Sequence, residues 1–486
     1  MPFLRVLFGT PHRSIASAVA FSALLRVRFV FEGLLADEGG ALSAARSWSS
    51  GSPLYRDVWV DRPQGVLLLF RGWDALPFTN APSVRVLAIL LGATAIAATA
   101  AIVGMFAGTR AAVYAAWFAA LLSASPMLEG FAANGELLAA GFALPGLAIA
   151  AAVGTSRLSR RWIMFGGLLA GAALTIKQSS FDVVLVVSAW LLVMLITRRR
   201  SLGQVTAELA LFGLGTVVLP ALCIWHGTTL GWDTYYYVVA GFRVDARSAV
   251  SSPEFGRLLT SLAFTAPVMA PALFIALRGE HRRPRWLPRT DGGWFIALWT
   301  LASCIAFATG GSFWRHYFVI LAFPLAALAG VAVPRVRQQW VTAIGPTVLV
   351  SVLCAVPLIA NPRLILGDIV DTNSELAHWV REQPGPRAPT FYVYCADAAL
   401  YSEVGVAPTY PYLWEDHVRL ARDAQERLLA YLTGPDAPDV VFRVQPFEQC
   451  DETGAITAAI ERDYQPTATI GDAEVWKRKV DAPGTD

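Results

Sequence analysis

Between residues 14 and 360 the chain alternates long apolar runs with short polar connections. The runs fall at 14–33, 84–106, 111–125, 136–154, 162–176, 181–197, 206–225, 257–277, 294–309, 316–333 and 340–360. A run of about 20 apolar residues is long enough to cross a bilayer as a helix. The pattern therefore predicts a mostly α, polytopic membrane protein of about eleven transmembrane helices. The runs are rich in Ala, Leu, Val and Gly, which lets helix pack closely against helix in lipid.

Two stretches break this pattern. Within 34–83, GALSAARSWSSG places Leu42, Ala45 and Trp48 on one side of a helix. YRDVWVDRPQG follows, turn-rich and charged, and then a short apolar piece at 66–70. This loop predicts two amphipathic helices lying along the membrane surface. Beyond residue 361, short apolar strands alternate with amphipathic helices. FYVYCADAAL reads as a strand running into a helix, and WEDHVRLARDAQERLLAYLTG as one helix ending at Gly434. PDVVFRV is a second strand, TGAITAAIERDY a helix and EVWKRK a closing strand. The chain thus divides into a membrane module, 1–360, and a small C-terminal α/β domain, 361–486.

Composition agrees with this division. The 486 residues are 55% hydrophobic and 15% charged, against about 25% charged in soluble domains. The net charge of +3, with no basic domain or base-reading motif, excludes nucleic acid as a partner. Arginines cluster in RLSRR (157–161), RRR (198–200), RGEHRRPRWLPR (278–289) and PRVR (334–337). The positive-inside rule assigns these connections, with the N-terminus, to the cytoplasm. Segments 34–83, 126–135, 177–180, 226–256 and 310–315 then face the other side, and so does the C-terminal domain. No small-residue cleavage site precedes DEGG, so the first run reads as an uncleaved span rather than a signal peptide. Cys395 and Cys450, at or just beyond strand ends in an oxidising compartment, are candidates for a disulfide. Cys223, Cys304 and Cys354 lie in spans and read as apolar packing.

The outer segments gather opposite charges: Asp37 and Glu38, Glu129 and Glu136, Lys177, then Arg315 and His316. Each has a structural alternative. Asp37 and Glu38 suit a solvated turn or helix cap, and Glu136 suits the start of a span. Lys177 suits snorkelling at a hairpin tip, and Arg315 and His316 suit interfacial anchoring. Their arrival at one depth from distant segments favours a shared site, and Lys177 is one of only three lysines. Arg26 and Arg28 sit near the outer third of the first run. At least one is expected to pair with a carboxylate, Glu32 being near, with a phosphate-facing role as the alternative for Arg26.

The ordered set ADEGGALSAARSWSSGSPLYRDVWVDRPQG, NGELL, GLLAGAALTIKQSS and FWRHYFVILAFPLAALAG resembles the bacterial branch of the GT-C fold polyprenyl-phosphate-dependent glycosyltransferases. These include protein O-mannosyltransferases and the aminoarabinose transferases of lipid A. The resemblance covers roughly residues 14–335. Many relatives have PPG where this chain has Pro63-Gln64-Gly65, and PHYF where it has Arg315-His316-Tyr317-Phe318.

The resemblance implies a sugar leaving a polyprenyl phosphate on the extracytoplasmic side of the inner (plasma) membrane, with inversion. Asp37 would act as general base on an acceptor hydroxyl, with Glu38 beside it. Cations must hold the phosphate as it takes up charge, a role that falls to Lys177 and Arg315, then Arg62 and His316. Glu136, Asp61 and Tyr55 would orient the acceptor or the sugar. The implied partners are a polyprenyl-phosphate-linked sugar, an envelope glycan, lipid or protein as acceptor, and membrane lipids. No cofactor is required. No metal site is assigned, and a divalent cation stays open because two adjacent acids need further oxygen ligands. Two other classes also stay open: a lipid or sugar transporter or flippase, and a non-catalytic envelope-assembly scaffold.

Overall fold

The computed structural model describes residues 11–77, 79–249, 253–278, 291–335, 345–384, 388–395, 398–444 and 450–479. Each expected apolar run is helical. Among the described residues, seven helices are long and apolar enough to cross a membrane: Pro11–Phe31, Ala81–Ala107, Gly135–Gly154, Leu202–Thr228, Phe255–Leu277, Gly292–Gly310 and Arg315–Ala332. Two shorter apolar helices, Trp162–Ile176 and Asp182–Ile196, make a hairpin. Thr109–Ser123 and Gly345–Ala360 account for the remaining runs. Most of the cluster at 278–289, and part of that at 334–337, fall outside the described residues.

The bundle is built as lipid requires. Small side chains such as Ala95, Ala139, Ala143 and Ala170 are buried between helices, while Leu222, Trp225 and Leu301 stay exposed on the outside. Arg26 is one of a few charged side chains buried among the helices. Among the described residues its guanidinium meets no carboxylate but donates to the carbonyls of Gly130 (2.6 Å) and Ser123 (2.7 Å) and to the Ser22 hydroxyl. It therefore anchors the 123–130 turn and does not face a phosphate. Arg28 is the one that pairs with Glu32.

The C-terminal part carries a four-stranded sheet in the order β1-β2-β4-β3, with β1 Phe391–Tyr394, β2 Val440–Arg443, β3 Tyr464–Ile470 and β4 Ala473–Arg478. β1 and β2 are parallel; β4 runs antiparallel to both β2 and β3. β3 is absent from the hydrophobic pattern because its side chains are mostly exposed and Pro466 adjoins a bulge, as an edge strand tolerates. A disulfide joins Cys395 to Cys450, Cα atoms 5.9 Å apart.

The single helix expected over 414–434 is two helices, Glu415–Leu420 and Ala424–Thr433. The break has a partner in the membrane module. The Arg422 N–H donates to the Tyr237 hydroxyl at 3.1 Å rather than continuing the helix, and Asp423 takes a left-handed φ of 62°.

Both helices expected in the first outer loop form, at Ala36–Ser49 and Gly65–Asp74. The first is sandwiched. Arg46 grips Asp74 at 2.7 Å on one side, and the Ser402 hydroxyl donates to the Gly39 carbonyl at 2.6 Å on the other. A Cβ on Gly39 would fall 2.3 Å from the Ala399 Cα, so the glycine behind the acid pair lets the C-terminal domain approach.

Candidate active site

The charged side chains converge at one end of the bundle. Asp37 lies in the first turn of helix Ala36–Ser49, where the helix dipole favours a carboxylate. Its nearest cation is Arg62, Nη2 to Oδ2 3.6 Å, beyond hydrogen-bond distance, and its side chain is 41% exposed. Arg62 in turn approaches Lys177 across Gly135. A Cβ at Gly135 would stand 3.2 Å from Arg62 Nη1 and 3.3 Å from Lys177 Cδ. First outer loop, fourth-run helix and hairpin tip therefore meet at a point.

Lys177 follows the last turn of helix Trp162–Ile176 and pairs with Glu136. Its ammonium also lies 3.9 Å from the centre of the Tyr317 ring. The cap of the Glu136 helix is Asn134, whose side chain accepts from the Leu137 N–H at 3.0 Å, which leaves the Glu136 carboxylate free to turn to Lys177. Glu136 Oε2 is buried without a hydrogen-bond donor, with His316 Nε2 3.9 Å away. The other His316 nitrogen and Arg315 hold Glu129, both at 2.7 Å. Burial raises the Glu129 pKa, but His316 and Arg315 outweigh it and keep the carboxylate ionised below its ordinary range.

Asp61 is buried between two partners, Arg243 at 2.5 Å and His417 at 3.3 Å. Burial opposes its ionisation, yet Arg243, His417 and Arg62 together hold it far below the usual carboxylate range. Burial likewise works against the charge on Arg62, and Asp37 and Asp61 more than restore it. Gln178 stitches the hairpin tip to this group, donating to the carbonyls of Asp61 (3.4 Å) and Val239 (3.2 Å).

Two of the expected residues stand elsewhere. Adjacent positions on a helix diverge by about 100°, and Glu38 points into the protein while Asp37 points out. Arg85 donates to Glu38 at 2.7 and 3.0 Å, and the N–H groups of Ala133 (2.8 Å) and Leu35 (3.1 Å) take up the remaining lone pairs. Glu38 is thus a structural anion rather than a reacting one. Tyr55 is buried too, and its hydroxyl donates to the Arg62 carbonyl at 2.9 Å, so it props the loop and does not face a sugar.

Arg243, His417 and Arg85 were not anticipated. Arg85 carries a faint signal, as a charged residue at the head of the 84–106 run, and Arg243 another, as an arginine in the 226–256 segment. His417 carried none, because the contact joins segments more than 350 residues apart.

The structure also has an apolar groove of about 400 Å³ whose lining includes chain neighbours of the charged cluster. Leu68, Leu69, Phe142, Leu219 and Leu222 line it, and it ends against Gln64 and Ile176, near neighbours in the chain of Arg62 and Lys177.

No family model and no curated protein match the chain by sequence. Its structure is similar to that of ArnT from Cupriavidus metallidurans bound to undecaprenyl phosphate. The TM-score is 0.66 and the identity 16%, covering 97% of this chain and 99% of that one. It is also similar to an Archaeoglobus fulgidus oligosaccharyltransferase in complex with Zn and sulfate, at TM-score 0.52 and 12% identity over 96% and 73% of the two chains. The archaeal oligosaccharyltransferase AglB with an inhibitory peptide and a dolichol-phosphate gives TM-score 0.52 and 13% identity over 97% and 75%. At such identities the likeness speaks for architecture: the chain is a multi-pass membrane protein with the GT-C glycosyltransferase fold.

Proposed function

We propose that the chain transfers a sugar from a polyprenyl phosphate to an acceptor hydroxyl on the extracytoplasmic side of the plasma membrane. The observation that carries this reading is a cation cluster beside one loosely held acid, together with an apolar groove lined by Gln64 and Ile176, chain neighbours of Arg62 and Lys177. The groove takes the isoprenoid tail, at little cost because neither is hydrated. Arg62, Arg243 and Lys177 then face the phosphate, with Arg315 and His316 set behind Glu129. Asp37 takes the acceptor proton as the hydroxyl oxygen attacks the anomeric carbon. The bond from that carbon to the phosphate oxygen breaks, and the cations stabilise the charge the phosphate gains. A single displacement inverts the centre. An incoming phosphate also competes for Arg62, which frees Asp37 to act as a base. The C-terminal domain, 361–486, lies on the same side in this reading.

The reading dispenses with a metal. Among the described residues no group of three or more His, Cys, Asp or Glu side chains gathers as a metal-binding set, and Asp61, Glu129 and Glu136 are each matched by a cation. Such donors do not fit a divalent ion. EDTA is expected to leave the transfer rate within about twofold of untreated enzyme; abolition by EDTA with recovery on adding Mg²⁺, Mn²⁺ or Zn²⁺ would refute the metal-free reading.

Mass spectrometry of envelope glycans and lipids from a deletion strain tests the function itself. The expected result is the loss of one sugar decoration and accumulation of its polyprenyl-phosphate donor outside the cytoplasm. A donor that accumulates on the inner face instead points to a flippase, and an unchanged envelope to a scaffold.

A further inference from the structure

The C-terminal domain contributes a residue to the charged cluster. His417 sits on the short helix Glu415–Leu420 and is 5% exposed. Its Nε2 reaches Asp61 Oδ1 at 3.3 Å, while Arg243 occupies the other oxygen. The ring is boxed by three aromatic side chains: Trp59 at 4.5 Å and Phe242 at 5.3 Å, both edge-on, and Trp414 at 4.9 Å. Among the described residues Nδ1 has no hydrogen-bond partner, and the polar contact of this side chain is the one to Asp61.

The box is made from the same segments that carry the phosphate-facing cations. Trp59 is two residues before Asp61 and three before Arg62, and Phe242 directly precedes Arg243. The domain is held there by further ties. The Trp59 N–H donates to the Pro411 carbonyl at 3.2 Å, and Arg422 pairs with Asp245 at 2.9 Å. Arg243 is 38% exposed along its side chain and needs a fixed anion to aim it. Asp61 can serve only if its own plane is fixed, and a nitrogen partner on each oxygen, Arg243 on one and His417 on the other, does so.

We infer that His417 is a positioning residue: by fixing Asp61 it sets where Arg243 meets the donor phosphate, so that docking of the C-terminal domain completes the donor site. This rests on the reading above, in which Arg243 contacts a polyprenyl phosphate. Glutamine and asparagine separate positioning from packing, since the amide nitrogen of Gln overlays Nε2 of histidine and that of Asn overlays Nδ1. In the full-length protein His417→Asn is expected to bind undecaprenyl phosphate about tenfold more weakly, the loss of one hydrogen bond to a charged group. His417→Gln should bind within about threefold of wild type, and the Asn effect should vanish when Asp61 is already Ala. Equal binding by wild type and both variants overturns the positioning role, and so does equal impairment of both. Failure of the wild-type chain to bind undecaprenyl phosphate at all overturns the functional reading instead.

Discussion

Replacing Asp37 by Asn is expected to lower kcat for the proposed sugar transfer by about 10³-fold while leaving the KM for the lipid donor near wild type. The size follows from removing a general base. The selectivity for kcat follows from where Asp37 stands. It pairs with Arg62 only at 3.6 Å, so the amide leaves the cation cluster assembled. The other acids of the site are already committed. Glu136 is taken by Lys177, Glu129 by Arg315 and His316, and Asp61 by Arg243 and His417. A carboxylate that already holds a short ion pair is a poor proton acceptor, because protonation would strand its partner's charge. Substitution of Glu136 by Gln should therefore act differently, freeing Lys177 and raising the KM for the donor. Rates and donor affinities of purified variants in lipid nanodiscs decide the matter. An Asp37→Asn enzyme with wild-type kcat would exclude this residue as the base.

Much of this arrangement was legible in the sequence, for identifiable reasons. Helices in lipid satisfy their own backbone groups, so each apolar run became a helix regardless of its neighbours. Charged residues near the ends of runs are costly unless used, and Asp37, Arg62, Glu136, Lys177 and Arg315 all proved to share one network. What could not be read was the direction in which each side chain points. Asp37 and Glu38 are adjacent, acidic and equal on paper, yet the helix sends one towards Arg62 and the other into the protein. The contacts of Asp61 with His417 and of Gly39 with Ala399 depend on how a soluble domain docks, and no local pattern encodes that. The break at residues 421–423 belongs to the same class: local amphipathicity favours one helix, and the Tyr237 hydroxyl overrides it.

Glu38→Gln is expected to destabilise the fold by about 3–5 kcal/mol, the cost of leaving a buried charge without its partner. Arg85 is fully buried, and its remaining donors already serve the carbonyls of Phe29 (2.6 Å) and Gly33 (2.9 Å). It cannot turn to water for compensation. Arg85→Gln strands the carboxylate in the same way. The double variant carries no buried charge, and its two amides can still donate and accept. It should therefore be less destabilised than the sum of the singles, a favourable coupling of about 1–3 kcal/mol. Denaturation midpoints of the four proteins in one detergent measure the coupling. Singles as stable as wild type would mean that water reaches this ion pair. The consequence for function follows from the helix register. Glu38 ties the first turn of Ala36–Ser49 to the head of Ala81–Ala107 and to Ala133, and Asp37 is the preceding residue on that turn. Loosening Glu38 lets the base wander, so the surviving folded fraction of either single variant should lose kcat as well as stability.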